Sequence, residues 1–177
     1  MARSDIQRDG HPRRRLACVT VITLKTTHPT DPRNGSVLMI EADHKARPIL
    51  PGGAANPGEP IGAAVSRELL EATGLRRTIT WGLAVDQADA DPGLPEDITI
   101  VCEGGTLSEA EAEAMSIPIT AAEEIKGLVW IRPSQLDEAL EPHQAARIRS
   151  ALAARDSGHG LPLLQAGVPY LGADAAA

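Results

Sequence analysis

The chain has 177 residues, with 17 Lys+Arg against 24 Asp+Glu for a formal net charge of −7, 42% apolar residues and 23% charged residues. These proportions suit one soluble unit with a sizeable aliphatic core and exclude a disordered chain. The acidic balance and an aromatic inventory limited to Trp81, Trp130 and Tyr170 argue against both a phosphate-backbone surface and a base-stacking platform, so no nucleic-acid partner is expected. The first element in the chain is an apolar stretch from Leu16 to Leu24, preceded by Arg13, Arg14 and Arg15. That order superficially resembles a secretion signal. The run is short, is interrupted by Thr20 and Thr23, and closes at Lys25 without a small-residue cleavage site. Its β-branched content reads as a first strand, and the expected compartment is cytoplasmic.

A loop, HPTDPRNG, ends in the turn pair Asn34-Gly35 and leads into a second strand, SVLMIEAD. A glycine-rich bend at Gly52 and Gly53 follows. A helix is expected from near Pro60, placed at the first helical position, to Gly74, a C-terminal breaker. Further strands are expected at TITWGLAV, DITIVCEG and GLVWI, with an acidic helix before the last of them. Ser108 followed by Glu111 has the spacing of a capping box for that helix. Ser134 and Asp137 open a final helical region, with a second segment from Pro142 to about Arg155. The fold class is therefore α/β. Residues 1–15 are expected as an N-terminal extension, 16–155 as one domain and 156–177 as an extended C-terminal arm. No apolar run approaches the ~20 residues of a membrane span, so no membrane partner is expected.

The helix after the glycine bend carries the most informative chemistry. At about 100° per residue, Ile61, Val65, Leu69 and Ala72 form one apolar stripe, and Glu68 falls within it. Glu71 is its neighbour three residues on, and Arg67 lies four before Glu71. Two carboxylates projecting together repel unless a cation lies between them, and a hard divalent ion such as Mg²⁺ suits an oxygen pair. The bend would add backbone carbonyls nearby. The plainer reading is an amphipathic helix with a solvated acidic edge.

The stretch Gly53, five residues, Glu59, seven residues, Arg67-Glu68-Leu69, one residue, Glu71, then Gly74-Leu75 resembles the Nudix box of the Nudix hydrolase superfamily, G-x5-E-x7-R-E-U-x-E-E-x-G-U with U a bulky aliphatic. The one departure is Ala72, where the family has the second glutamate of a pair. The resemblance implies a Nudix-like α/β/α sandwich with a mixed β-sheet. It implies hydrolysis of a diphosphate linkage in a nucleoside diphosphate derivative or related small molecule, with Mg²⁺ or Mn²⁺ as cofactor. Glu68 and Glu71 are then metal-site carboxylates, Gly52 the backbone-carbonyl ligand, and Arg67 with Glu59 the pair that orients helix and loop. The alternative is a Nudix-fold ligand-binding or regulatory module, weakened in catalysis by Ala72. The resemblance also allows a homodimer.

Family members take a further carboxylate from a loop beyond the box. Glu123 and Glu124 are candidates, Glu124 being favoured by its position before Ile125 and a solvated loop acid being the bland reading. Asp86, Asp89, Asp91, Glu96 and Asp97 read as a solvated acidic loop whose order does not match a calcium loop, with a substrate or metal role as the alternative. Trp81 is expected on a strand and in the core, with stacking on a base as the alternative. Cys18 and Cys102 resemble small buried hydrophobes, with a single disulfide left open. The histidines show no metal-ligand pairing. Pro92 and Pro95 lie where ADP-ribose-cleaving relatives carry a proline, without a clear match.

Overall fold

In the computed structural model, residues 14–89, 96–158 and 161–170 are described. The N-terminal 1–13, Asp91, Pro92, Pro95, His159 and the GADAAA terminus lie outside them. The strands are β1 (Arg15–Lys25), β2 (Val37–Ala42), β3 (Gly52–Ala54), β4 (Gly82–Ala88), β5 (Asp97–Ser108), β6 (Ile125–Ile131), β7 (Leu163–Gln165) and β8 (Val168–Pro169). The α-helices are α1 (Ile61–Thr73), α2 (Glu109–Glu113), α3 (Leu136–Ala139) and α4 (Pro142–Ser157). One mixed sheet runs in the order β6-β2-β1-β5-β4-β7-β8, with β3 paired to β1.

β1 is the hub because it is buried on both faces, which is why its sequence is nearly continuously apolar. Cys18 and Ile22 pack with Val65 and Leu69 of α1, whereas Val21 packs with Ala145, Ile148 and Ala151 of α4. These two clusters, one on each face, make the expected α/β/α sandwich. β1 pairs in parallel with β5 from Arg15↔Asp97 to Lys25↔Ser108, with a register shift after Val21. The shift falls at Gly104, where a Cβ would sit 2.3 Å from Ile22 Cγ1. β5 therefore continues through the glycine pair to Ser108 instead of ending there.

Several local expectations are met. Gly35 and Gly74 have φ of +79° and +71°, turning the loop before β2 and ending α1. At α2, Ser108 accepts from the Glu111 backbone while the Glu111 side chain accepts from Ser108, completing the capping box. Pro142 occupies the first turn of α4. Both cysteines are buried free thiols with no disulfide between them, and burial pushes the Cys102 thiol up to about 12.

Other expectations are corrected. Pro60 caps α1 rather than opening it, and the PGG bend contains a short strand, β3. β4 begins at Gly82, so Trp81 precedes the strand and is 76% exposed instead of sitting in the core. The expected C-terminal arm begins inside α4, which runs to Ser157, and continues as a hairpin, β7–β8, with β7 parallel to β4. Its two-residue turn, Ala166-Gly167, has positive φ at both positions (49° and 85°), the twist that a tight hairpin requires. Among the described residues no helix is long and apolar enough to cross a membrane.

Candidate active site

The buried face of α1 is formed by Ala64, Val65, Leu69 and Thr73, so Ala72 is rotated out of the expected stripe. It lines a cavity of about 930 Å³ together with Glu68 and Glu71 of α1, Gly52 and Gly53 of β3, and Glu124 ahead of β6. Sheet residues Ala17, Val19, Ile40 and Thr99 and the α4 residues His143, Gln144 and Arg147 also face it. The cavity lies at one end of the sheet, between the two helical layers.

β3 is glycine-rich for two steric reasons. Gly52 has φ +154°, and a Cβ there would fall 2.1 Å from the Cys18 carbonyl oxygen on the paired strand. At Gly53 a Cβ would fall 2.3 Å from Glu68 Oε2. The missing side chain is thus the space that the Glu68 carboxylate occupies.

Arg67 organises the acids around this cradle. Its Nε and Nη2 donate to Glu59 at 2.9 Å each, and Nη2 also donates to the Ala54 carbonyl at 3.2 Å. Nη1 donates to Glu68 Oε1 at 2.8 Å and to Glu71 Oε2 at 3.1 Å. A forked, fully engaged guanidinium of this kind fixes both carboxylates in place. The Arg67 bonds, with a further one from the Asn56 backbone, hold Glu59 down at about 2, and the acids push Arg67 above its ordinary value. Arg67 therefore links Glu59, Glu68 and Glu71 to the Ala54 carbonyl in one hydrogen-bonded cluster.

The sequence-derived set divides cleanly. Gly52, Glu68, Glu71 and Glu124 share the cavity wall, whereas Glu123 is exposed and absent from it. Asp89 and Asp97 also reach the wall. Asp86 is no solvated loop acid: it is buried on β4, with Oδ2 2.6 Å from Arg147 Nε. Glu96 accepts from Gln87 and pairs with Arg14. Sequence reasoning missed His143, Gln144 and Arg147. Their signal was one face at helical spacing on α4, and for Asp86 it was an acid at an inward strand position between Ala84 and Ala88.

Among the described residues, no group of three or more His, Cys, Asp or Glu side chains converges on a metal-sized point. Ala72 stands on the same cavity wall and adds no carboxylate to it. The remaining donors still suit a hard cation. Two carboxylates beside glycine backbone supply oxygens only, and Mg²⁺ binds through one or two carboxylates while keeping several waters.

The NUDIX domain family matches residues 19–152, and the chain belongs to that family. It is 35% identical over 82 residues to a Xenopus laevis protein, nucleoside diphosphate-linked moiety X motif 6, covering 44% of this chain and 38% of that one. The match thus spans well under two thirds of that relative's length. Among solved structures, the fold is similar to the MutT protein from Methanosarcina mazei Go1, with TM-score 0.61 and 16% identity over 85% of this chain and 99% of that one. A MutT NUDIX hydrolase from Burkholderia pseudomallei gives TM-score 0.55 and 23% identity over 80% and 98%. The NUDIX domain of Shewanella oneidensis NrtR, solved with ADP ribose, gives 0.60 and 17% over 90% and 100%. At these identities the structural likeness is one of fold.

Proposed function

We propose that the protein is a metal-dependent pyrophosphohydrolase that cleaves the diphosphate linkage of a nucleoside diphosphate derivative. The observation that carries this reading is the Glu68 carboxylate seated in the Cβ-sized gap at Gly53, on the wall of a cavity large enough for a nucleotide. Glu68, Glu71 and the Gly52 carbonyl would hold Mg²⁺ or Mn²⁺. Such an ion neutralises charge on a diphosphate and lowers the pKa of bound water.

The chain's own residues supply the remainder. Arg67 keeps Glu68 and Glu71 from swinging away from β3, because its hydrogen bonds to Glu59 and Ala54 tie α1 to the preceding loop. Glu124 stands on the same wall, and its carboxylate has no partner among the described residues. It would accept the proton released when water attacks phosphorus. The new P–O bond forms as the bridging P–O bond breaks, and the leaving phosphate carries the electron pair away.

Hydrolysis of a panel of nucleoside diphosphate derivatives with Mg²⁺ or Mn²⁺ tests this. Turnover should fall by about 100-fold or more in Glu68→Gln, since a ligand oxygen is lost. No product from any substrate, with Glu68→Gln indistinguishable from wild type, sinks the proposal. Ala72 supports a second reading, a binding or regulatory module. Ala72→Glu separates the two: a large rate gain marks a crippled site, and an unchanged rate shows that this carboxylate does not limit turnover.

A further inference from the structure

Outside the Glu68 end, the strongest polar feature is the pair formed by Asp86 and Arg147. The Asp86 side chain is 0% exposed, and burying a carboxylate is costly unless its oxygens are bonded. Both are. Oδ2 accepts from Arg147 Nε at 2.6 Å, and Oδ1 accepts from the Gly167 backbone N–H at 3.0 Å. Gly167 can reach it because the hairpin turn lies directly on α4, where a Cβ would fall 2.1 Å from the His143 carbonyl oxygen. Ser150 adds a bond to the Gly167 carbonyl at 3.2 Å. Strand, helix and hairpin together fix the guanidinium.

They use only its Nε. Arg147 Nη1 and Nη2 meet no acceptor among the described residues, although the side chain is only 11% exposed and lines the cavity. A guanidinium carries five N–H donors, and those left over here are offered to the cavity. Among the described residues no Trp, Tyr or Phe lines that cavity, and its only rings are the His44 and His143 imidazoles, so directional bonds carry more of the recognition of a group bound there. Asp86 offsets the Arg147 charge, and the exposed Nη edge therefore presents a planar pair of donors more than a net positive charge.

We infer that Arg147, positioned by Asp86, binds the part of the substrate beyond the diphosphate by donating to an acceptor oxygen of that group. This rests on the reading of the Glu68 end as the diphosphate site. Two oxygens carry the required chemistry, a base carbonyl and a further phosphate.

The test is calorimetric titration with Mg²⁺ and three ligands bridged by methylene: methylenediphosphonate, α,β-methylene UDP and α,β-methylene ATP. Arg147→Lys keeps the charge opposite Asp86 but removes the Nη fork, and thermal unfolding near that of wild type certifies its fold. Arg147→Lys with Asp86→Asn is the second variant if the first is unstable. The expected result is a loss of about tenfold or more for one or both nucleotides, with methylenediphosphonate changed by less than about twofold. Loss confined to the UDP analogue assigns a base carbonyl, and loss confined to the ATP analogue assigns a phosphate oxygen. Unchanged nucleotide affinity, a parallel loss for methylenediphosphonate, or no nucleotide binding by wild type overturns the inference. Glu68→Gln separates the two readings. If it abolishes methylenediphosphonate binding while Arg147→Lys changes nothing, the diphosphate site stands and only the Arg147 assignment falls.

Discussion

Two arginines anchor the two helices that flank the cavity, and they are built on opposite plans. Arg67 on α1 spreads its guanidinium over Glu59, Glu68, Glu71 and the Ala54 carbonyl, at 29% exposure. Arg147 on α4 meets one carboxylate, Asp86, in a far drier setting. The first arrangement is redundant and saturated; the second depends on a single partner and leaves donors over. Redundancy near solvent makes a robust scaffold for the acids it holds. A lone buried pair makes a more fragile support, and its unspent donors are what a ligand can use.

Breaking the Asp86 pair should have the largest effect. Asp86→Ala strands a buried guanidinium and frees Gly167, and should lower the unfolding free energy by about 3–5 kcal/mol. Urea unfolding followed by circular dichroism would check this, and a loss under 1 kcal/mol, the range of an ordinary surface pair, would contradict the fragile-pair description. At the other end, Gly53→Ala pushes a methyl group into the space of the Glu68 carboxylate. Turnover and metal affinity should fall by about 10–100-fold, while the unfolding midpoint moves little, because the displaced atom is the tip of a flexible side chain.

The redundant cluster should reveal itself through acid. Glu59 is held near 2 in the folded chain against an ordinary value of 4.5. A depressed carboxylate contributes stability that is complete above its unfolded value and is lost as pH falls from about 4.5 through about 2. Glu59→Gln should therefore flatten the stability profile in that window, with its largest loss of stability at neutral pH and little difference from wild type near pH 2. An identical slope in wild type and variant would show that Glu59 is not a source of the acid sensitivity. The smallest expected change is at the hairpin that supports Arg147. Ala166 has φ +49°, a conformation that asparagine tolerates better than alanine. Ala166→Asn should add about 0.5–1 kcal/mol, read as a higher melting temperature.

How much of this was legible in the sequence follows from how local each signal is. The α1 acids were readable because helical spacing and the box put Glu68, Glu71 and Arg67 together within a single turn or so of helix. The capping box of α2 and the Pro142 start of α4 were readable for the same reason. Asp86 was misread because neighbouring acids suggested a loop, whereas its partners lie 61 and 81 residues further on. Trp81 was placed in the core on the strength of a β-branched run that begins four residues before the strand does. The C-terminal hairpin escaped notice because its strands are short, and β7 needs the distant β4 to be a strand at all.

That last pairing bears on how the chain is made. Asp86 leaves the ribosome with neither partner; Arg147 follows 61 residues later and Gly167 81 residues later. At about 5–20 residues per second, the acid waits several seconds before its second oxygen can be satisfied. β4 thus cannot settle into a fully bonded sheet until the hairpin at residues 163–169 has emerged. Truncated products that stop before Gly167 would keep an unsatisfied carboxylate oxygen in their interior, and that defect would hand them to the proteases that clear incomplete chains.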